Sequence, residues 1–490
     1  MSILPDLIEI PLSGPVTGSI RIPGSKSISN RALLIAALAE GDTEVLGLLE
    51  SDDVIRMYEC LTQLGLNLGS RDDFFGSNPY VMGCNGEFKP TDQALYVENA
   101  GTAARFLTAA LTLGKGTYVL DGNERMRQRP LDDLIDALEQ VDVEISAPTG
   151  CPPVTINAKG FPGGHIEIPG DKSSQYISAL MIVAPYAKQD TTIEITGEMV
   201  SKTYIEMTQK IMADFEVDIN WNGGNWMQIP SGQSYKGKGF YNIEGDASSG
   251  SYYFALPAIA GGSLKIEGIP KESTQGDLGL IQLLEKMGCT LNWIHPHAPS
   301  VTNTPIQHTS VKMESSSISG PNPQVEIQAP QDHLKAITAD MNTMSDVAPT
   351  LAVVALFAEG TTQITNVGNM RIKECDRLFA VYTELKKLGA QVWPMKGEEI
   401  LRDHELQEIQ KGQDIGDLPD GLAIQGDPSA KSYHGAELDT YDDHRLAMCL
   451  SLAGTRIKGV KIKDPACVSK TFPTYWQELK KFLPDLVIEA

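Results

Sequence analysis

The chain is short of the features that mark several common classes. Its seven cysteines are odd in number and never fall as C-x-x-C. That argues against a disulfide framework or a Cys-based zinc site, and for free thiols in a reducing compartment. No apolar run is long enough to cross a bilayer, and Met1-Ser2-Ile3-Leu4-Pro5-Asp6 lacks the basic and apolar stretches of a secretion signal. The expected location is therefore cytoplasmic, with no membrane association. Positive charge is scarce: 40 Lys and Arg stand against 63 Asp and Glu, a net charge of −23. Such a balance excludes nucleic acid and anionic membrane surfaces as general partners, but not a small anion held by a local cluster of cations. G-x-x-x-x-G-K-[ST], a G-x-G-x-x-G after a strand, H-E-x-x-H and a nucleophile-elbow Ser are all missing. P-loop, dinucleotide-binding, zinc-peptidase and α/β-hydrolase readings fall with them. No metal site is predicted.

What is present is a repeat. The 490 residues are 41% hydrophobic, enough for more than one domain. An apolar helix end, a turn, an alternating strand, a polar crossing and an amphipathic helix recur at 38–64, 111–138, 183–215, 256–288, 354–389 and 452–482. With the short strands between them, each unit reads as β-α-β-α-β-β. Strands such as Thr192-Ile193-Glu194-Ile195 and Ser263-Leu264-Lys265-Ile266 alternate, as strands with one wet face do. The helices ahead of the strands (32–38, 103–113, 177–187, 252–260, 348–357 and 446–453) are apolar nearly all round, so they are expected to be buried. The pattern predicts an α/β protein with helices within and sheets outside. Two segments look inserted. Residues 296–330 are expected to be loop, and 398–421 charged, partly helical and on the surface. His295 and His297 read as solvated loop residues.

The chemistry collects at helix starts. Gly24-Ser25-Lys26-Ser27-Ile28-Ser29-Asn30-Arg31 places a Lys and an Arg at a helix N-terminus. The backbone N–H groups and dipole there already favour anions, so two cations point to a strongly anionic ligand. Asn99-Ala100-Gly101 is a tight turn that brings amides near a ligand. Arg125-Met126-Arg127-Gln128-Arg129 offers bidentate carboxylate or phosphate capture. Gly170-Asp171-Lys172-Ser173-Ser174-Gln175 opens another helix with hydroxyls and an amide. Asp346 stands at a predicted helix N-terminus, where an N-cap and a catalytic carboxylate are both open readings. Asn369, Arg371, Lys373, Glu374 and Arg377 follow, then Tyr441-Asp442-Asp443-His444-Arg445 and Cys467-x-x-Lys470. If the units stack symmetrically, these junctions converge on one polyanion site.

Taken together and in order, these segments resemble the 5-enolpyruvylshikimate-3-phosphate synthase family from about Ile20 to Leu483, with glyphosate-sensitive-type motifs at the first helix. The resemblance implies an inside-out α/β barrel fold of two similar domains, six units in all and three per domain. One domain would be continuous over 21–242. The other would join 1–20 to 243–490. It implies transfer of the enolpyruvyl group of phosphoenolpyruvate to the 5-hydroxyl of shikimate 3-phosphate, with release of phosphate, no metal and no organic cofactor, in a monomer. Carried over by motif, shikimate 3-phosphate would meet Lys26, Ser27, Arg31, Ser173, Ser174, Gln175, Ser201, Tyr204, Asp346, Asn369 and Lys373. Phosphoenolpyruvate would meet Lys26, Gly101, Arg129, Gln175, Arg377, Arg445 and Lys470, with Asn99 beside it. Asp346 and Glu374 would move protons, with Lys26 and His444 close by. An acid and a base of different pKa are then expected.

Departures from the family pattern are Ala104-Arg105-Phe106, where Phe106 stands in place of the usual Pro, and the extra cation Lys172. The sister transferase acting on UDP-N-acetylglucosamine uses a loop Cys, and Arg125–Pro130 contains none. A catalytically inactive binding relative is the other alternative. Cations split between the two halves of the chain predict mutual repulsion across an empty cleft.

Overall fold

The computed structural model describes residues 4–76, 79–294, 323–401 and 418–489. The apolar helices are buried, as their composition requires. Every residue of Gly101–Ala110, Ala247–Ala260, Ala348–Ala355 and His444–Ala453 is buried, as is Ile28–Leu38 of the Lys26–Leu38 helix. A helix apolar on all sides has no face to offer water, so it sits inside the layer of sheets. Among the described residues the strands form six sheets, and their alternation is the expected one. In Thr191–Thr196, Ile193 and Ile195 are buried while Glu194 is exposed.

The buried apolar residues form two clusters. One runs from Ile28 to Ile243. The other combines Ile8–Ile22 with Ala247–Ile488. The N-terminal strand Val16–Arg21 joins the second cluster by pairing in parallel with Gly262–Glu267. The chain therefore passes between the clusters twice, and the two passages touch. Gly24 bridges Gly245, and Ser25 N donates to Glu244 O at 2.8 Å. A Cβ on Gly24 would lie 2.0 Å from Gly47 O, so no other residue fits this crossing.

Two expectations change. The segment 296–330 is not all loop: Gln324–Gln328 is a strand between Gly262–Glu267 and Thr290–Ile294. Its Val325 and Ile327 are fully buried, but one alternating pair beside a Ser/Thr/Pro-rich stretch is too short a signal to read. The segment 398–421 ends too late, because Gly421 opens the buried strand Gly421–Gly426. Glu399–Ile400 is an exposed strand end, as a surface insertion requires. Residues 295–322, which include His295 and His297, and residues 402–417 lie outside the described residues.

Candidate active site

The helix starts do converge. A cleft between the two halves is lined by Lys26, Ser27, Arg31, Gly101, Arg129, Ser173, Ser174, Gln175, Ser201, Tyr204, Asp346, Asn369, Lys373, Glu374, Arg377 and Arg445. Asn99 and Lys470 line an adjoining hollow. Asp53 lines both.

The N-terminal half supplies two cleft arginines without carboxylate partners, while its lysines, Lys26 and Lys172, are each paired. Ser25 caps the Lys26–Leu38 helix, and Lys26 N also donates to Asp246 Oδ2 at 3.1 Å. Lys26 Nζ lies 3.3 Å from Asp53 Oδ2. Arg31 is 1% exposed and has only neutral acceptors: Thr208 Oγ1 at 2.7 Å, Ser27 O at 3.0 Å, Ser178 Oγ at 3.2 Å and Tyr204 O at 3.4 Å. Arg129 likewise donates to Asn99 O and Oδ1, both at 3.1 Å. Burial lowers both guanidinium pKa values to about 10. A Cβ at Gly101 would crowd both guanidinium groups beside it, at 2.5 Å from Arg129 Nη2 and 2.9 Å from Arg105 Nη1. Of the other loop arginines, Arg127 turns away to pair with exposed-side Asp121, and Arg125 Nε reaches Glu374 O at 3.2 Å. Ser173 caps the Ser174–Val183 helix, and Gln175 Nε2 donates to Thr102 Oγ1 at 3.3 Å. Lys172 lines the cleft but is paired with Asp133 at 2.9 Å.

The C-terminal half supplies a lattice of opposite charges. Asp346 is not an N-cap: the Ala348–Ala355 helix has Val347 at its cap position and no side-chain cap bond. Instead Asp346 Oδ1 accepts from Arg377 Nη1 at 3.0 Å and Oδ2 from Arg445 Nη2 at 2.8 Å, with Lys373 at 3.5 Å. Glu374 accepts from Arg377 Nη2 at 2.6 Å and lies 3.4 Å from Lys470. Burial pushes both carboxyls up, but the surrounding cations outweigh it and hold both below the usual carboxylate range. Each carboxyl is thus held toward its ionised form by the arginines and lysines around it.

His444 is fully buried, does not line the cleft, and neither ring nitrogen has a hydrogen-bond partner among the described residues. Burial first, then the charge of Lys26, depresses its pKa well below the usual value, which favours the uncharged ring.

Simple repulsion between the halves is also corrected. The cations meet carboxylates from Asp53, Asp346, Glu374 and Asp443. The halves touch through Lys470 Nζ to Asn99 O at 3.4 Å, Tyr204 OH to Asp346 Oδ2 at 3.5 Å and Asn369 Nδ2 to Ser201 Oγ at 3.4 Å. Asp53, Thr102 and Asp443 join the site without a role assigned from sequence. Asp443 was in plain view beside His444. Asp53 resembled an ordinary acidic first helical turn, and nothing local distinguishes it.

The EPSP synthase (3-phosphoshikimate 1-carboxyvinyltransferase) family model matches residues 11–479. A 3-phosphoshikimate 1-carboxyvinyltransferase of Psychromonas ingrahamii is 42% identical over 469 residues, covering 95% of this chain and 96% of its own. The chloroplastic one of Arabidopsis thaliana is 42% identical over 478 residues, covering 95% and 82%. The solved EPSP synthase of Acinetobacter baumannii has the same two-domain α/β fold, with a TM-score of 0.75 at 24% identity over 99% of each chain. With the family model spanning nearly the whole chain and its motif residues gathered in one cleft, the chain belongs to the EPSP synthase family.

Proposed function

We propose that the chain catalyses the 3-phosphoshikimate 1-carboxyvinyltransferase reaction. It transfers the enolpyruvyl group of phosphoenolpyruvate to the 5-hydroxyl of shikimate 3-phosphate and releases phosphate, a step toward aromatic amino acids. The observation that carries this reading is the pairing of two buried arginines without carboxylate partners, Arg31 and Arg129, with the Asp346–Arg377–Arg445 lattice across one cleft. Such a site offers charge to two anions and retains carboxylates to move protons.

Shikimate 3-phosphate would be held by Lys26, Ser27, Arg31, Ser173, Ser174, Gln175, Ser201, Tyr204, Asn369 and Lys373. Phosphoenolpyruvate would be held by Lys26, Gly101, Arg129, Gln175, Arg377, Arg445 and Lys470, with Asn99 orienting Arg129. Asp346, which lies near Tyr204 and Lys373, would take the 5-hydroxyl proton as the oxygen attacks C2 of the enol. A proton is added at C3, for which the Lys26 ammonium, lining the cleft, would be the donor. Loss of phosphate from C2 and of a C3 proton to Glu374 then restores the double bond. His444, buried behind the cleft, is given no part in the proton transfers. The charged side chains suffice for these steps, so the reading calls for neither metal nor organic cofactor.

The same reading takes 21–242 and 1–20 plus 243–490 as two domains, and the six sheets as six units of an inside-out α/β barrel, three per domain. The two buried clusters and the outward polar strand faces support it. The reading takes the protein as a cytoplasmic monomer, a location that its free cysteines suit. A phosphate-release assay tests the function. Release is expected only with both substrates, and turnover of UDP-N-acetylglucosamine instead would overturn it.

A further inference from the structure

Arg31 is a buried cation that has been given no counter-charge. Four of its five N–H groups meet neutral oxygens, and no carboxylate lies within ion-pair distance among the described residues. Burial without a counter-ion is unfavourable, and it lowers the guanidinium pKa to about 10. What faces the guanidinium is aromatic. Its central carbon lies 5.0 Å from the ring centroid of Phe106 and 5.8 Å from that of Tyr204. Phe106 is wholly buried on the Gly101–Ala110 helix, one turn beyond Thr102 at the cleft wall. The negative face of a ring attracts a cation, most strongly where water is excluded. A carboxylate in the same place would cancel the charge a substrate needs. A ring stabilises the charge and leaves it whole.

We infer that Phe106 is a positioning residue that sets the affinity of Arg31 for the anionic substrate, by stacking on the guanidinium without neutralising it. This rests on the assignment of Arg31 to shikimate 3-phosphate binding. The ring does not touch substrate, so its effect should fall on binding and not on turnover. Removing a desolvated cation–π contact should weaken binding about tenfold.

The test is steady-state kinetics and calorimetric binding of shikimate 3-phosphate to the full chain carrying Phe106→Leu or Phe106→Tyr. Expected for Phe106→Leu is a KM and Kd for shikimate 3-phosphate raised about tenfold, with kcat within about twofold. Phe106→Tyr, which keeps the ring, should stay within about twofold of the parent on every constant. A Phe106→Leu protein with unchanged KM and Kd, or one that loses kcat and KM together, would overturn the stacking role. Should Phe106→Leu fail to fold, ring fluorination at Phe106 decides the matter. It keeps the shape while weakening the ring's attraction, so Kd must climb with each added fluorine, and a flat series refutes the inference. A parent protein that binds no shikimate 3-phosphate refutes the substrate assignment and this inference with it. A normal parent with indifferent variants refutes the inference alone.

Discussion

Arg377 Nε donates to Asp443 Oδ2 at 2.7 Å, with the two side chains 1% and 0% exposed. Burial opposes the charge on Arg377, but Asp443, Glu374 and Asp346 outweigh it and raise its pKa. Asp443 has a second task. Its Oδ1 accepts from Arg445 N at 2.9 Å and caps the His444–Ala453 helix. One carboxylate thus fixes the direction of two arginines that face the cleft.

Asp443→Ala should therefore destabilise strongly. Arg377 would keep Glu374 and Asp346 but lose its Nε partner, so the cost should stay below that of a wholly unpaired buried cation, about 3–5 kcal/mol, with the lost cap adding about 1 kcal/mol. Asp443→Asn keeps an acceptor for the cap and should fold better while remaining nearly inactive. Denaturant midpoints and turnover of the two variants check this, and equal stability of Asp443→Ala and the parent would remove the buried pair from the account.

Lys26→Met should abolish turnover while leaving the far-ultraviolet circular dichroism unchanged. The side chain is 12% exposed and paired with Asp53, so it is a cleft cation and not a solvated one. Loss of a charge contact that strengthens as charge develops costs on the order of 10²–10³ in rate. Near-normal turnover would place Lys26 outside the chemistry.

Asp277 gives a pH signature. It is 3% exposed, and burial first, then the charge of Asp346, pushes its pKa up to about 7. Asp246 adds to the rise, while Arg445 and the Ser248 hydroxyl that donates to Asp277 oppose it. Unfolded, such a carboxyl titrates near 3.9. The native state therefore holds the extra proton between about pH 4 and 7, and this group's contribution falls as pH rises through that window. The loss is at most about 1.4 kcal/mol per pH unit. Asp277→Asn removes it, so the variant should gain thermal stability over the parent at pH 8 and gain none at pH 4. A gain of equal size at both pH values would mean that Asp277 does not titrate in this window.

Shikimate 3-phosphate should draw the halves together and protect them. The halves already share the contacts Tyr204 to Asp346 and Asn369 to Ser201, and the anion adds negative charge opposite Arg31 that ties both halves to one ligand and favours this closed arrangement in solution. At a hundredfold excess over Kd the folded state should gain about 2.7 kcal/mol. A higher Tm with a smaller radius of gyration in solution scattering is expected. An unchanged scattering profile at saturating ligand would refute closure and leave the chemistry untouched.

Much of this protein was legible in its residues alone. All-round apolar segments such as Ala348–Ala355 must be buried, and alternating ones such as Thr191–Thr196 must face water on one side, so helices inside and sheets outside followed from hydrophobic burial. Cations at helix starts marked the cleft, because Lys26 and Arg31 make local sense only with an anion nearby. Tertiary structure decided what depends on long-range neighbours. Asp346 lies 99 residues from Arg445 and 31 from Arg377, and only their approach holds its proton off and removes it from the role of helix cap. The partners of Asp53 and Asp443, the burial of His444, and the ring of Phe106 over Arg31 were decided in the same way. Burial and charge act through space at distances the sequence does not encode locally, so pKa direction and pairing emerge only when the two halves meet.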